Sequence, residues 1–329
     1  MIQRYQIFGS EMSPYSVKTR AYFRYKKIAH EWIIRSNTNR AEFDSLAKVP
    51  LIPLVVSPLG EVMQDSTPII RSLEDQFPLP SIVPDSVELA FLSDLLEEFG
   101  DEWVNKLMFH SRWWHETDQL SAARILAMNL EDRLGNELED KAIQISQRMV
   151  GRREFVGSST ETAALIGEYR ESLIINLEKH LQCRHYLLGG RPCLGDFGIA
   201  SEIYQLSSDP TGAGILRSRA PKTLAWAYRM LDPRNDGPFE GWNDLSFTMI
   251  PLLKEIGELF LPWSSANLEA LEQKKDFFNV NLRGRQYGQK PQKYHAKSLK
   301  VLKGKFSSVG NRQKLIEILD ETSCLGWLC

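Results

Sequence analysis

The feature that most restricts the fold is a Ser-Pro-Tyr-Ser turn at residues 13–16, between the short apolar run 5–8 and the helical-looking segment 17–27. A strand, a turn and a helix in this order place Ser13 and Ser16 beside the unpaired amides at the start of the helix. The helix dipole favours a bound anion there, such as a thiolate. A serine hydroxyl can donate to a thiolate but cannot form a disulfide. The pattern therefore predicts that the site activates the thiol of a bound molecule.

The first 80 residues show apolar patterns in a definite order. Five segments are typical of a strand or a helix: strands at 5–8, 30–34, 51–56 and 61–64, and a helix at 17–27. The turn residues 57–60 predict that the last two strands form an antiparallel hairpin. A further helix is expected to begin at Asp65 and Ser66, with Pro68 tolerated in its first turn. A βαβ unit followed by a ββα unit is the thioredoxin-like arrangement.

A proline-rich linker at residues 76–85 separates this unit from a predicted all-helical region. Four segments there have helical periodicity: 87–109, 122–149, 161–181 and 195–206. A turn-rich boundary follows at residues 231–238. The sequence patterns beyond it predict helices at 249–261, 266–273 and 313–322 and a hairpin of 278–282 with 285–289. The expected fold class is α/β plus all-α, with three parts: a thioredoxin-like domain at 1–80, a helical domain at 86–231 and a C-terminal extension at 232–329 that packs on the helical domain.

The chain resembles the amino-terminal domain of cytosolic glutathione S-transferases. The spacing that carries the resemblance consists of the turn at 13–16, Ile52-Pro53, Gly60 seven residues after that proline, and Asp65-Ser66 twelve and thirteen residues after it. In that family the proline is cis, and the preceding backbone faces the cysteinyl group of glutathione. Pro53 fits this role better than the competing Pro50, because only its register places Asp65-Ser66 correctly. The resemblance thus implies that Ile52 and Pro53 bind glutathione.

The same resemblance implies a role for each matching polar residue. Ser13 falls where the family places the residue that meets the glutathione sulfur, and Ser16 is an alternative donor. Asp65 would accept from the γ-glutamyl ammonium, and Ser66 would bind its carboxylate at the helix start. Phe8 stands where tyrosine-type members have their hydroxyl, and the absence of Cys at position 13 argues against chemistry through a mixed disulfide. Both Ser13 and Ser66 are equally compatible with simple helix caps.

Two segments of the helical region also match the family. Cys193 and Asp196 resemble its capping pair at the start of the central helix, with cysteine as a poorer acceptor. The resemblance places an aromatic-rich stretch beside the pocket for the electrophilic acceptor, and the candidate lining residues are Trp103, His110, Arg112 and Trp113. An aromatic-rich helix is more often part of a core than a ligand wall, so both interpretations stay open.

Charge is unevenly distributed along the chain. Residues 277–316 contain ten Lys or Arg and no Asp or Glu, whereas residues 1–276 contain 30 basic and 39 acidic residues. The basic segment is either an arm that docks on the acidic body or a neighbouring subunit, or a rim that attracts an anionic substrate or nucleic acid. Docking is favoured, because a basic run alone is a weak nucleic-acid signal.

The resemblance implies a glutathione S-transferase-like enzyme with glutathione as co-substrate and an electrophilic small molecule as acceptor. The four cysteines have no metal-binding spacing, so no metal is expected. No apolar run approaches the roughly 18 residues of a membrane span, which favours a cytoplasmic protein, and the resemblance implies a homodimer. One alternative is a glutathione-binding protein without catalysis. The other is a transferase-like interaction module that uses the basic segment.

Overall fold

A computed structural model of the protein describes residues 4–130 and 135–329. The N-terminal part contains a four-stranded sheet, with strands β1 Tyr5–Gly9, β2 His30–Ile34, β3 Leu54–Val56 and β4 Val62–Gln64. The strand order is β2-β1-β3-β4, in which β1 and β2 are parallel and the other pairs are antiparallel. The predicted thioredoxin-like order is therefore confirmed.

Three helices accompany this sheet: α1 Pro14–Tyr25, α2 Arg40–Leu46 and α3 Ser66–Gln76. Pro14 begins α1, where a missing N–H removes no helical bond. Sequence patterns did not predict α2. That helix has seven residues and buries a single side chain, Phe43, whose ring packs edge-on against Phe8 at 6.0 Å. A single buried side chain gives no detectable helical periodicity in the sequence. The helix is therefore stabilised by its packing and was not visible as a local pattern.

Between the linker and residue 231, the described residues form eight α-helices: α4 Val87–Phe99, α5 Asn105–Trp114, α6 Glu116–Leu130, α7 Asn136–Val150, α8 Ala163–His180, α9 Leu194–Ser208, α10 Pro210–Arg219 and α11 Pro221–Arg229. A π-helical turn, Gly100–Val104, joins α4 to α5. The single helix predicted at 122–149 is wrong, because α6 and α7 are separate helices that pack on each other. The part of that prediction at 131–134 lies outside the described residues. The predicted capping pair is present, since a carboxylate oxygen of Asp196 accepts from the N–H of Cys193 at 2.9 Å.

The remaining residues form α12 Trp242–Glu255, α13 Leu261–Glu272, β5 Phe278–Leu282, β6 Arg285–Gln289, α14 Lys293–Ser308, α15 Gln313–Glu321 and α16 Leu325–Leu328. The predicted hairpin is confirmed as the antiparallel pair β5 and β6. Sequence patterns did not predict α14, which carries five of the ten basic residues of the segment 277–316. Its Phe306 packs edge-on against Phe91 of α4 at 5.6 Å. This C-terminal segment therefore packs on the helical region.

The basic residues of the C-terminal segment face acidic side chains of the same chain. Six of the ten form an ion pair within the chain: Arg283, Arg285, Lys290, Lys300, Lys305 and Lys314. Lys305 reaches Asp94 at 3.1 Å and Lys314 reaches Glu88 at 2.7 Å, so both bind α14 and α15 to α4. These contacts support the docking interpretation of the basic run.

Candidate active site

The predicted thiol-activating serines lie at the start of α1, directly after β1. Ser13 has an extended backbone and caps α1, and its hydroxyl accepts from the N–H of Ser16 at 3.3 Å. The residue is half-buried. Ser16 is 0% exposed, and its hydroxyl has no hydrogen-bond partner within the described residues. The structure therefore brings the two serines together and leaves Ser13 as the one that a ligand can reach.

The predicted γ-glutamyl residues lie at the start of α3. Asp65 precedes the helix with φ at +78°, a backbone region that residues with side chains rarely adopt. Its carboxylate makes no capping bond to the amides of α3, and Ser66 is buried as the first helical residue. The Ile52–Pro53 peptide bond is cis, as the resemblance implies. The carboxylate of Asp65 is thus directed to a partner outside its own helix.

A buried lysine joins the two helix starts. Lys18, just over one turn after Ser13, is completely buried and donates to Thr67 at 3.1 Å and to Asp101 at 2.6 Å. It also forms an ion pair with Glu97. Burial alone would lower the pKa of the Lys18 ammonium, but the two carboxylates raise it above its ordinary value. Lys18 therefore stays charged and holds α1 against both α3 and α4.

Asp101 and one further acidic residue, Glu202, lie next to Tyr15 in the first turn of α1. The hydroxyl of Tyr15 donates to the carbonyl of Asp101 at 3.0 Å. Burial raises the pKa of the Asp101 carboxyl to about 7, with Lys18 opposing this shift. Burial also raises the pKa of Glu202 well above its usual range, and this carboxyl accepts from Asn105 at 3.1 Å. Carboxyl groups whose pKa values burial raises therefore lie beside the first turn of α1, which local sequence did not indicate.

The first turn of α14 covers the start of α3. The hydroxyl of Tyr294 donates to a carboxylate oxygen of Asp65 at 2.8 Å, although 229 residues separate the two in sequence. The next residue, His295, contacts Glu102, and its ring packs edge-on against Trp263 at 5.0 Å. Sequence analysis missed Tyr294 as a site residue because α14 itself was not predicted.

Trp103 and His110, the first two acceptor-pocket candidates, contact other side chains of this chain. Trp103 is buried in a group of aromatic rings whose centroids lie 5.6 to 6.1 Å from its own: Tyr169, Trp263 and Tyr287. His110 forms a 2.7 Å hydrogen bond with Ser158, and burial lowers the pKa of its imidazole to about 4. His110 is therefore neutral at neutral pH. The C-terminal segment fills the space around Trp103.

The other two candidates lie behind the loop that carries Ser13. Arg112 is buried, pairs with Asp209 at 2.7 Å and donates to the carbonyl of Met12 at 3.3 Å. Trp113 is buried in an apolar cluster of α6 and α7 against which Met12 also packs. Arg112 and Trp113 thus hold the residue preceding Ser13. Their roles toward an acceptor molecule stay predictions.

The described residues contain no group of three or more His, Cys, Asp or Glu that could hold a metal ion. Within the same residues, no helix has both the length and the apolar character needed to cross a membrane.

Comparison with known proteins gives one family match. Residues 7–81 match the N-terminal domain of glutathione S-transferase. A search of the curated proteins found no match.

Similar solved structures include a glutathione S-transferase from Methylobacterium radiotolerans in complex with glutathione sulfonate, at 18% identity over 72% of this chain and 96% of that chain, with a TM-score of 0.41. Another is a glutathione S-transferase from Rhodospirillum rubrum, at 16% identity over 74% of this chain and 100% of that chain, with a TM-score of 0.46. A third is a beta-etherase from Sphingobium, at 17% identity over 74% of this chain and 98% of that chain, with a TM-score of 0.49. On the family match, residues 7–81 of this chain form an N-terminal domain of the glutathione S-transferase superfamily.

Proposed function

We propose that the protein is a glutathione transferase that binds glutathione on its N-terminal domain and activates the thiol through Ser13. The electrophile is a small molecule whose carbon accepts the sulfur. The S–H bond breaks and its proton passes to solvent, and a C–S bond forms as the acceptor carbon either releases a leaving group with its electron pair or gives up a conjugated π bond that is then protonated. The family match of residues 7–81 supports glutathione as the ligand.

The observation that carries the proposal is the position of Ser13. Its hydroxyl lies at the N-terminus of a 12-residue helix, beside amides and a dipole that favour an anion. A hydroxyl donor here stabilises a thiolate relative to a thiol and therefore lowers the thiol pKa. Ser16 is completely buried, so its hydroxyl reaches a ligand only if the turn moves. We therefore assign the thiol contact to Ser13 and a supporting position to Ser16.

The remainder of glutathione would follow the two helix starts. The backbone of Ile52, before the cis Pro53, faces the cysteinyl part in this proposal. Asp65 accepts from the γ-glutamyl ammonium, and Ser66 meets the γ-glutamyl carboxylate at the N-terminus of α3. Because Lys18 fixes α1 against α3, the thiol and γ-glutamyl contacts are held at a constant separation.

Calorimetric titration with glutathione, combined with ultraviolet absorbance of the bound thiolate, tests this proposal. We expect the unaltered protein to bind glutathione and to show thiolate at neutral pH. Ser13→Ala should keep most of the affinity but raise the thiol pKa by about 1 to 2 units, the value of one hydrogen bond to a charged group. Ser72→Ala, at an exposed position of α3, is the matched control and should behave like the unaltered protein.

Each outcome has a defined meaning. An unchanged thiolate signal in Ser13→Ala would overturn the assignment to Ser13, and its loss in Ser16→Ala instead would move the role there. Binding without any thiolate in the unaltered protein would support the non-catalytic alternative. The absence of binding would contradict the proposed function altogether. The homodimer, the cytoplasmic location and the acceptor pocket stay predictions.

A further inference from the structure

The contact between Tyr294 and Asp65 joins the C-terminal segment to the proposed γ-glutamyl site. The Tyr294 hydroxyl donates to one carboxylate oxygen of Asp65 at 2.8 Å, and the residue lies in the first turn of α14. Asp65 has φ at +78° and does not cap α3. A residue in this backbone conformation costs free energy and persists where surrounding structure fixes it. Tyr294 is the partner outside α3 that orients this carboxylate.

A small cavity lies beside this contact, between the start of α3, the end of α4 and α14. Its volume is about 180 Å³, and both Asp65 and Tyr294 line it. Acidic residues of the lining outnumber basic ones by five to three: the further acidic ones are Glu97, Glu98, Asp101 and Glu102, and the basic ones are Arg71, Lys297 and Lys305. Lys18 already pairs with Glu97 and Asp101, so Asp65, Glu98 and Glu102 are the carboxyls it leaves to other partners. Burial and the neighbouring carboxylates raise the pKa of Glu98 to about 8. Crowded carboxylates of this kind favour a bound cation.

The position of α14 over this cavity is fixed by contacts along the helix. Phe306 packs on Phe91, and Lys305 pairs with Asp94 at 3.1 Å. At the other end, His295 packs on Trp263. Tyr294 is therefore held against Asp65 by the packing of its whole helix rather than by one surface hydrogen bond.

We propose that α14 forms the outer wall of the γ-glutamyl end of the glutathione site, with Tyr294 as the positioning residue for Asp65 and the acidic cavity as the receptor for the γ-glutamyl ammonium. This inference rests on the proposed function. It makes the C-terminal segment part of the ligand site, so that a single chain encloses the γ-glutamyl group. Tyr294 acts through Asp65, whose second oxygen remains available to the ammonium.

Affinities of Tyr294→Phe for two ligands test the inference. One ligand is glutathione, and the other is glutaryl-cysteinyl-glycine, which lacks only the γ-glutamyl ammonium. We expect Tyr294→Phe to weaken glutathione binding by about two- to tenfold, the range of one hydrogen bond, and to leave the binding of the second ligand unchanged. Tyr228→Phe is the matched control, because Tyr228 is an exposed tyrosine whose hydroxyl has no hydrogen bond recorded within the described residues. It should change neither affinity.

Three results would overturn this inference and leave the proposed function standing. They are equal affinities of Tyr294→Phe and the unaltered protein, equal weakening for both ligands, and tighter glutathione binding, which would show that Tyr294 competes with the ligand for Asp65. Failure of the unaltered protein to bind glutathione would instead overturn the proposed function, and this inference with it. Circular dichroism and thermal unfolding of Tyr294→Phe establish that the variant is folded.

Discussion

Replacing Lys18 by methionine is expected to destabilise the protein strongly, because this ammonium is the buried partner of two carboxylates. Lys18 is completely buried, pairs with Glu97 and lies 2.6 Å from Asp101. Methionine keeps most of the side-chain volume and removes the charge. Both carboxylates then remain buried without their cation. Breaking a buried pair in this way costs about 3 to 5 kcal/mol of unfolding free energy.

The cost should depend on pH. In the unaltered protein, burial alone would raise the pKa of Glu97, but Lys18, with help from Thr67 and Arg71, lowers it below its ordinary value. The stabilisation that ionised Glu97 contributes is therefore present at neutral pH and is lost as pH falls through the folded pKa. In Lys18→Met, burial dominates, so the pKa of the Glu97 carboxyl rises above the unfolded value, and the pKa of Asp101, already raised in the unaltered protein, rises further. The variant then loses stability as pH rises. The difference from the unaltered protein should therefore shrink between about pH 8 and pH 5 by at least about 1.4 kcal/mol, the free energy of one pKa unit.

Urea denaturation followed by tryptophan fluorescence measures this difference at both pH values. Lys300→Met is the matched control, because Lys300 forms a pair with Glu272 in which both side chains are 60% exposed. It should cost at most about 1 kcal/mol. If Lys18→Met does not fold at the higher pH, the double variant with Glu97→Gln should recover stability by removing one stranded charge. A cost for Lys18→Met as small as that of the control at both pH values would refute the reasoning.

Two further predictions concern buried polar residues of the helical region. Arg112→Met should lower the unfolding free energy by about 3 to 5 kcal/mol, since it leaves the Asp209 carboxylate buried and unpaired. Chemical denaturation at neutral pH measures this loss, and a loss below about 1 kcal/mol would contradict the prediction. Asp196→Ala should lower the unfolding free energy by about 2 to 4 kcal/mol, because the Asp196 carboxylate accepts from Cys193, Leu187 and Trp226 at 2.8 to 2.9 Å. Thermal unfolding would show this loss as a lowered midpoint temperature. An unchanged midpoint would contradict that reasoning.

The N-terminal fold could be predicted because its signals are local. Strands of alternating or continuous apolar residues, separated by turn residues, give β1 to β4 in order. The turn at 13–16 and the register of Pro53 with Asp65 are likewise short-range patterns, and the structure shows the cis bond at the preferred proline. The separation of α6 from α7 was missed because apolar residues continue at helical spacing on both sides of Gly135, whose φ of +67° ends that continuity.

The wall of the candidate site could not be predicted, because long-range contacts define it. Tyr294 and Asp65 are 229 residues apart, and no local pattern near Tyr294 indicates a partner. Lys18 presents the same difficulty. A lysine in the first turns of an ordinary-looking helix is usually solvated, and the packing of α1 against α3 and α9 makes this one a buried ion.

The ion pairs of the C-terminal segment select the surface on which α14 docks, whereas the burial of its apolar side chains stabilises the docked helix. Surface ion pairs such as Lys305 with Asp94 contribute about 0 to 1 kcal/mol each, so they select an acidic surface without anchoring the helix. The apolar residues Leu299, Leu302 and Phe306 are buried, and each such side chain contributes about 1.5 to 3 kcal/mol. Tyr294 precedes all three and remains 55% exposed. Its hydroxyl can therefore be removed without detaching α14, so that a loss of glutathione affinity in Tyr294→Phe reports on the geometry of Asp65 rather than on the fold.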